Sequence, residues 1–207
     1  MEGFSNKAGY HVVKQIIDAI INNREFLSEI DGAIGDGDHG INMAKGFHMA
    51  SDALDPETAT ISSGFQEISK TLMNKIGGSM GPLYGSLFRG FFIISRDCET
   101  IDGEVVKAML IKAADNIASI SQAQLNDKTL VDVLYPARDA YALAWDQSHD
   151  LHLALVAMNK AADEDWKQLK RWLLNLEELV VWVRDQLVTK MLELLPATLF
   201  LRLWLRE

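Results

Sequence analysis

The sequence predicts an all-α domain, and three observations lead to it. Apolar residues recur every three or four positions over long windows, the spacing of one helix face. β-Branched residues seldom alternate with polar ones over four or more positions, and no Asn-Gly hairpin signal occurs. Eight of the fourteen glycines are confined to two segments, Asp31–Gly40 and Gly77–Gly85, which punctuate the helical patterns.

Val12, Val13, Ile16, Ile17, Ala19, Ile20 and Ile21 mark the first helix. The acidic glycine segment follows, then a helix-like stretch from Ile41 to Ala50. Further apolar series occupy Ile61–Ile76, Leu83–Ile94 and Val105–Ile120, with Pro82 where a helix's first turn tolerates proline. Val131, Val133, Leu134 and Ala137 open another helix. Composition changes near Asp165: four of the five tryptophans, Trp166, Trp172, Trp182 and Trp204, fall in the last 42 residues, 24 of which are hydrophobic. Leu173, Leu176, Val180, Val183, Leu187 and Met191 keep helical spacing there, as in a buried or partner-facing helix. With no internal repeat and no Pro/Gly/Ser linker, the expected organisation is a domain over 1–165 and a divergent Leu/Trp-rich helical tail over 166–207 that packs on or completes it.

A chain of 207 residues buries roughly 70% of its unfolded surface and needs no metal or disulfide to fold. The net charge of −9 argues against nucleic acid, whose phosphates require clustered Lys and Arg. Cys98 is the single cysteine, which excludes an intrachain disulfide and a Cys-based zinc site, and it is expected to act as a small buried hydrophobe. Met1–Tyr10 lacks the basic start and apolar run of a signal peptide. The longest uncharged stretch in the tail, Leu194–Leu201, is far short of the roughly 20 residues that span a bilayer. The expectation is a cytoplasmic protein without membrane or nucleic-acid partners.

Asp31, Asp36 and Asp38 place three carboxylates within eight residues, spaced by glycines that let the chain turn. Two like charges about 4 Å apart repel by roughly 4 kcal/mol at an effective dielectric of 20, so convergence of three calls for cations. Hard divalent ions such as Mg2+ suit such oxygen ligands and keep positions for water and phosphate; a solvated acidic turn is the plainer alternative. Gly35-x-Gly37-x-x-Gly40 satisfies the dinucleotide fingerprint literally, but no strand precedes it and its carboxylates would repel a pyrophosphate. An EF-hand loop from Asp31 fails at Ala33, Gly35 and Asn42, and no P-loop occurs. His39 can donate to a phosphate oxygen or serve as a structural hydrogen-bonder; Asn42 lies on the same side of the following turn, and the helix start near Gly40 favours an anion. In the second glycine segment, backbone amides and the Ser79 hydroxyl can cradle phosphate, or the glycines can serve a close helix crossing. Asp127 or Thr129 can cap the helix that follows.

Together these segments resemble the DhaL/Dak2 domain family, the ADP-binding subunits of dihydroxyacetone kinases. The pattern LxxxDGxIGDGDHGxNMxxGF matches Leu27–Phe47, GG(A/S)SGPL(Y/F)G matches Gly77–Gly85, and GDKTMxD approximately matches Asn126–Asp132, so the resemblance covers residues 8 to 160. It implies an up-and-down barrel of eight antiparallel helices with ADP (or ATP) and two Mg2+ ions at one end. Asp31, Asp36 and Asp38 would hold the metals; His39, Gly40, Ile41 and Asn42 would line the phosphates; Ser79 and Met80 would contact ADP; Ser121 and Leu130 would sit near its adenosine part. The implied role is phosphoryl relay: bound ADP takes phosphate from a phosphohistidine protein of the phosphotransferase system and passes it to dihydroxyacetone on a partner kinase subunit, so no catalytic base is expected in this chain. A homodimer is compatible with this role.

The chain departs from the family at Met80 (usually Ser), Ser121 and Asn126 (usually Gly) and Leu130 (usually Met). The family's lid segment, GRASYLGERSxGHxDPGAxS, has no counterpart, and neither Arg171 nor Arg184 matches its arginine. The chain's end is therefore expected to have been replaced or read in another frame. The alternative is a non-catalytic paralogue that binds a kinase partner or regulator.

Overall fold

The computed structural model describes residues 3–32, 36–127 and 129–173. Among them are eight helices: α1 (Tyr10–Asn22), α2 (Arg24–Gly32), α3 (His39–Asp52), α4 (Ile61–Lys75), α5 (Met80–Ser95), α6 (Gly103–Ile120), α7 (Val131–Ser148) and α8 (Leu151–Leu173). The all-α expectation holds, with one small addition. Gly3–Ser5 (β1) pairs antiparallel with Thr100–Asp102 (β2), Phe4 opposite Ile101. Three-residue strands are too short to display the alternation that announces a strand.

The chain divides into two compact units, Met1–Asn22 with Asn42–Gln122, and Asn23–Ile41 with Ala123–Glu207. In the first, α1 buries Val12, Val13, Ile16, Ile17 and Ile20, the face its spacing predicts. Phe65 of α4 and Phe88 and Phe91 of α5 form a ring cluster, with Phe65 and Phe91 centroids 5.4 Å apart and Phe47 of α3 edge-on to Phe88 at 5.8 Å. Fully burying such a side chain contributes about 1.5–3 kcal/mol. A capping box starts α4: the Thr60 hydroxyl accepts from the Ser63 amide at 3.0 Å and Ser63 Oγ accepts from the Thr60 amide at 2.8 Å. Asp102 starts α6 by accepting from the Val105 amide at 2.9 Å.

Asn6 ties this unit's N-terminal strand to two helices. Only 5% exposed, it donates from Nδ2 to Ser62 Oγ, Ser95 O and Cys98 O at 3.1, 3.0 and 2.8 Å, and accepts from the Ser62 amide at 3.0 Å. Cys98 is half-buried rather than fully buried, and its thiol donates to Ile94 O at 3.3 Å. Burial first, then Asp102 and Asp97, push its pKa up, which keeps it a protonated, weakly nucleophilic thiol.

In the second unit, α7 and α8 form a helical hairpin. His149 turns the chain in the left-handed region (φ 49°), donating its amide to Trp145 O at 2.8 Å, and Asp150 accepts from the Leu153 amide at 2.9 Å to start α8. Leu134, Ala137 and Tyr141 of α7 and Ala154, Leu155 and Met158 of α8 are buried. Helix α8 runs through Asp165, where the composition changes; the tail spacing from Leu176 to Met191 lies outside the described residues. No described helix is long and apolar enough to cross a membrane.

Replacing Asn6 with Ala strands buried partners on three segments, so Asn6→Ala is expected to cost about 2–4 kcal/mol. Calorimetry should register a fall in melting temperature of roughly 5–15 °C.

Candidate metal and nucleotide site

Helix α2 delivers Asp31 in its last turn, 6% exposed, and the chain returns through Asp36 and Asp38 to start α3 at His39. One carboxylate oxygen from each of Asp31, Asp36 and Asp38 lies within 4.8 Å of the others. The loop holds this arrangement with its own amides: His39 N donates to Asp31 Oδ2 and Asp38 N to Asp36 Oδ1, both at 3.3 Å. Gly37 sits at φ +74°, a left-handed conformation that a side chain would strain. Trans oxygens on one Mg2+ stand about 4.2 Å apart, given Mg–O of about 2.1 Å. A spread of at most 4.8 Å is comparable to what one ion's ligand set spans. All donors are hard oxygens, so the residues present fit a magnesium-type ion.

Gly40 has a steric role beside any ligand role. A Cβ there would stand 2.0 Å from Arg24 O and 2.7 Å from the Ser28 amide, so α3 begins in backbone contact with α2. His39 is 1% exposed, while Ile41 is 48% exposed, an unusual position for a large apolar side chain. Asn42 follows on the same helix, where the second stretch of the other compact unit begins.

The second glycine segment, in the first unit, splits into two kinds of glycine. Gly81 and Gly85 are packing residues: added Cβ atoms would stand 2.3 Å from Ile76 O and 2.4 Å from Met73 Cγ. Gly77 and Gly78 have nothing within 4 Å, so no protein atom demands the missing side chain, although Gly78 also needs its φ of +68°. Ser79 precedes α5 without a side-chain capping bond, and Met80 is that helix's first residue. Ser121 closes α6, its amide bonded to Ile117 O at 3.0 Å.

Capping by Asp127 is not what the structure contains. Asp127 closes its own turn, accepting from the Gln124 amide at 2.8 Å. Asp132, 8% exposed in the first turn of α7, reaches back instead, accepting from the Thr129 amide at 2.7 Å and from the Asn126 amide. Thr129 Oγ1 receives only a long contact, 3.4 Å from the Val131 amide. Leu130 is 2% exposed, so its side chain belongs to the core. Sequence reasoning included Asp132 as the last residue of the Asn126–Asp132 motif but gave it no role; its signal was an acid three residues past Thr129, where a carboxylate meets the amides preceding a helix.

Gly40→Ala is expected to destabilise the protein by about 2–3 kcal/mol, because the obstructing atoms are backbone. Asp36→Asn should leave the metal-free melting temperature unchanged or slightly raised, since it relieves like-charge repulsion, yet remove the rise that Mg2+ produces in the unaltered protein. Thermal melts with and without Mg2+ separate the two effects.

The chain matches the DAK2 domain over residues 33–178. It is 39% identical over 118 residues to the PTS-dependent dihydroxyacetone kinase ADP-binding subunit DhaL of Lactococcus lactis, covering 56% of this chain and 58% of that one. It is 30% identical over 148 residues to the PEP-dependent dihydroxyacetone kinase ADP-binding subunit DhaL of Escherichia coli, covering 70% of each. Against the Lactococcus relative and a Listeria innocua one, the chain spans 58% and 62% of their length. The fold is that of the dihydroxyacetone kinase of C. freundii: TM-score 0.69 at 20% identity over 92% of this chain and 34% of that one. A second structure of that kinase, in complex with AMP-PNP and Mg2+, aligns with TM-score 0.65 at 19% identity, covering 96% of this chain and 35% of that one. With its carboxylate cluster, glycine loops and helices in place, and a family match across most of its length, the chain belongs to the DAK2 domain family.

Proposed function

We propose that this chain is the nucleotide-holding subunit of a phosphotransferase-system-dependent dihydroxyacetone kinase. It holds ADP with two Mg2+ ions and relays a phosphoryl group from a phosphohistidine protein to dihydroxyacetone on a partner subunit, in the cytoplasm. The convergence of Asp31, Asp36 and Asp38 within 4.8 Å carries the reading, in a family whose relatives are named as ADP-binding kinase subunits. Magnesium held by Asp31, Asp36 and Asp38 would supply neutralisation of phosphate charge, a main requirement of phosphoryl transfer.

The residues divide this work. Asp31, fixed by the His39 amide, is the buried anchor of the metals, and Asp36 and Asp38 complete the oxygen set. The α3 start, with His39, Gly40, Ile41 and Asn42, offers backbone amides and a helix N-terminus to phosphate. The open backbone at Gly77 and Gly78 and the Ser79 hydroxyl supply a second phosphate-facing segment beside Met80. Ser121 and the loop before Leu130 take the adenosine side. In-line transfer needs orientation and charge neutralisation from these groups, while the partner subunit activates the acceptor hydroxyl.

The tail bears on how firmly nucleotide is held. Codons permitted for Leu176–Pro196, regrouped so that each takes the third base of one residue and the first two of the next, spell GRASCLGERSVGHQDAGATS. That string departs from the family's lid pattern only by C for Y and A for P. We infer that the tail is the family's lid segment read out of frame, and that the chain as given keeps the metal cradle with a weakened lid. Resequencing the 3′ end of the gene, with an intact mass, should return the glycine-rich reading; the same sequence again would leave a divergent paralogue.

ADP and Mg2+ bound per chain after purification without added nucleotide test the function. We expect near-stoichiometric ADP in the frame-corrected protein, weaker binding of added Mg-ADP by the chain as given, and loss of both in Asp36→Ala. Folded, nucleotide-free protein in both forms that also ignores added Mg-ADP would overturn the reading in favour of an interaction protein.

A further inference from the structure

We propose that Asp132 is a positioning residue for the nucleoside part of the ligand, acting through the loop from Gln124 to Leu130; the proposal rests on the nucleotide reading above. One buried carboxylate folds this loop. Asp132 Oδ2 takes the Thr129 amide at 2.7 Å and Oδ1 takes the Asn126 amide, while its own amide donates to Thr129 O at 2.9 Å. Asn126 stands at φ 77°, in the left-handed region that asparagine tolerates better than most side chains, and the bond from its amide to Asp132 holds it there. The second hold is Asp127, which closes the turn onto the Gln124 amide.

The clamp determines what the loop offers outward. Leu130 is buried and cannot present its side chain, whereas Leu125 stands 50% exposed between polar Gln124 and Asn126. An apolar side chain held outward on a rigid turn suits the face of a base, and a turn fixed beforehand avoids ordering the loop at binding. Asp132 is thus separate in role from Asp31, Asp36 and Asp38: among the described residues its carboxylate takes the backbone amides of Asn126 and Thr129 in its own loop, and it is not part of the acidic cluster.

This division of labour predicts a split between two ligands that share phosphate chemistry. Mg-ADP uses both the metal cradle and the loop; Mg-pyrophosphate uses the cradle alone. In titrations of the full chain, Asp132→Asn should weaken Mg-ADP about 10-fold and leave Mg-pyrophosphate within about 2-fold. Exchange of the Asn126 and Thr129 amides should accelerate in the ligand-free variant. Asn126→Ala, which disturbs the same loop from its other end, should reproduce the split without touching Asp132, and Asn126→Gly should not. Equal weakening of both ligands would reduce Asp132 to a general structural role, and unchanged Mg-ADP affinity would overturn the proposal outright. Failure of the unaltered chain to bind either ligand would instead bring down the nucleotide reading itself, and the positioning role with it.

Discussion

Helix backbones in this protein meet where no side chain would fit, and much of the architecture follows from that. Gly40 sets the start of α3 against α2; Gly64 admits Val13 of α1 to α4; Gly85 brings α5 onto α4, where Ser69 Oγ donates to its carbonyl at 2.8 Å; Gly90 seats α5 against Ala113 of α6. In each case a Cβ would stand under 3 Å from the neighbour. Such contacts need glycine for space rather than for conformational freedom. They also explain why the acidic loop can be short: with α2 and α3 touching, the six residues 33–38 suffice to lead from the end of one helix to the start of the next.

That closeness has an electrostatic consequence. A short connection between touching helices leaves Asp31, Asp36 and Asp38 little room to separate, and their repulsion is held in place by the packing of uncharged backbone. Two amides, those of Asp38 and His39, offset part of it, and the dipole at the start of α3 offsets more. Neither matches a divalent cation. One of the three carboxylates is buried and two are exposed, so the loop presents an acidic oxygen cluster of the kind a hard cation would neutralise.

The helices and the convergence of the three aspartates were legible in the sequence because both are local. Apolar spacing located α1, α4, α5 and α6, and the three aspartates lie close enough along the chain that any tight turn must gather them. What escaped depends on partners distant in sequence or on strands too short to show a period. β1 and β2 are joined by pairing across almost a hundred residues, and Asn6 acquires its meaning only from Ser62, Ser95 and Cys98. The second glycine segment was ambiguous for a different reason: spacing cannot separate a glycine that lets a helix approach, as at Gly85, from one beside open space, as at Gly77. Leu130 illustrates the limit of transferring a role by motif. The match assigns Leu130 to the ligand, but burial places its side chain in the core and leaves Leu125 as the exposed apolar residue of that loop.

The placement of residues in the two compact units separates tasks that the motif pattern runs together. Asp31, Asp36, Asp38 and Asp132 all fall in the unit of Asn23–Ile41 with Ala123–Glu207, whereas Asn42, Ser79, Met80 and Ser121 fall in the other. The unit holding the carboxylates is assembled from stretches about eighty residues apart, so its metal loop and its Asp132-clamped loop owe their coexistence to folding and not to proximity in the chain. The motif pattern thus spans both units, with the clustered carboxylates in one and the open backbone of Gly77 and Gly78 in the other.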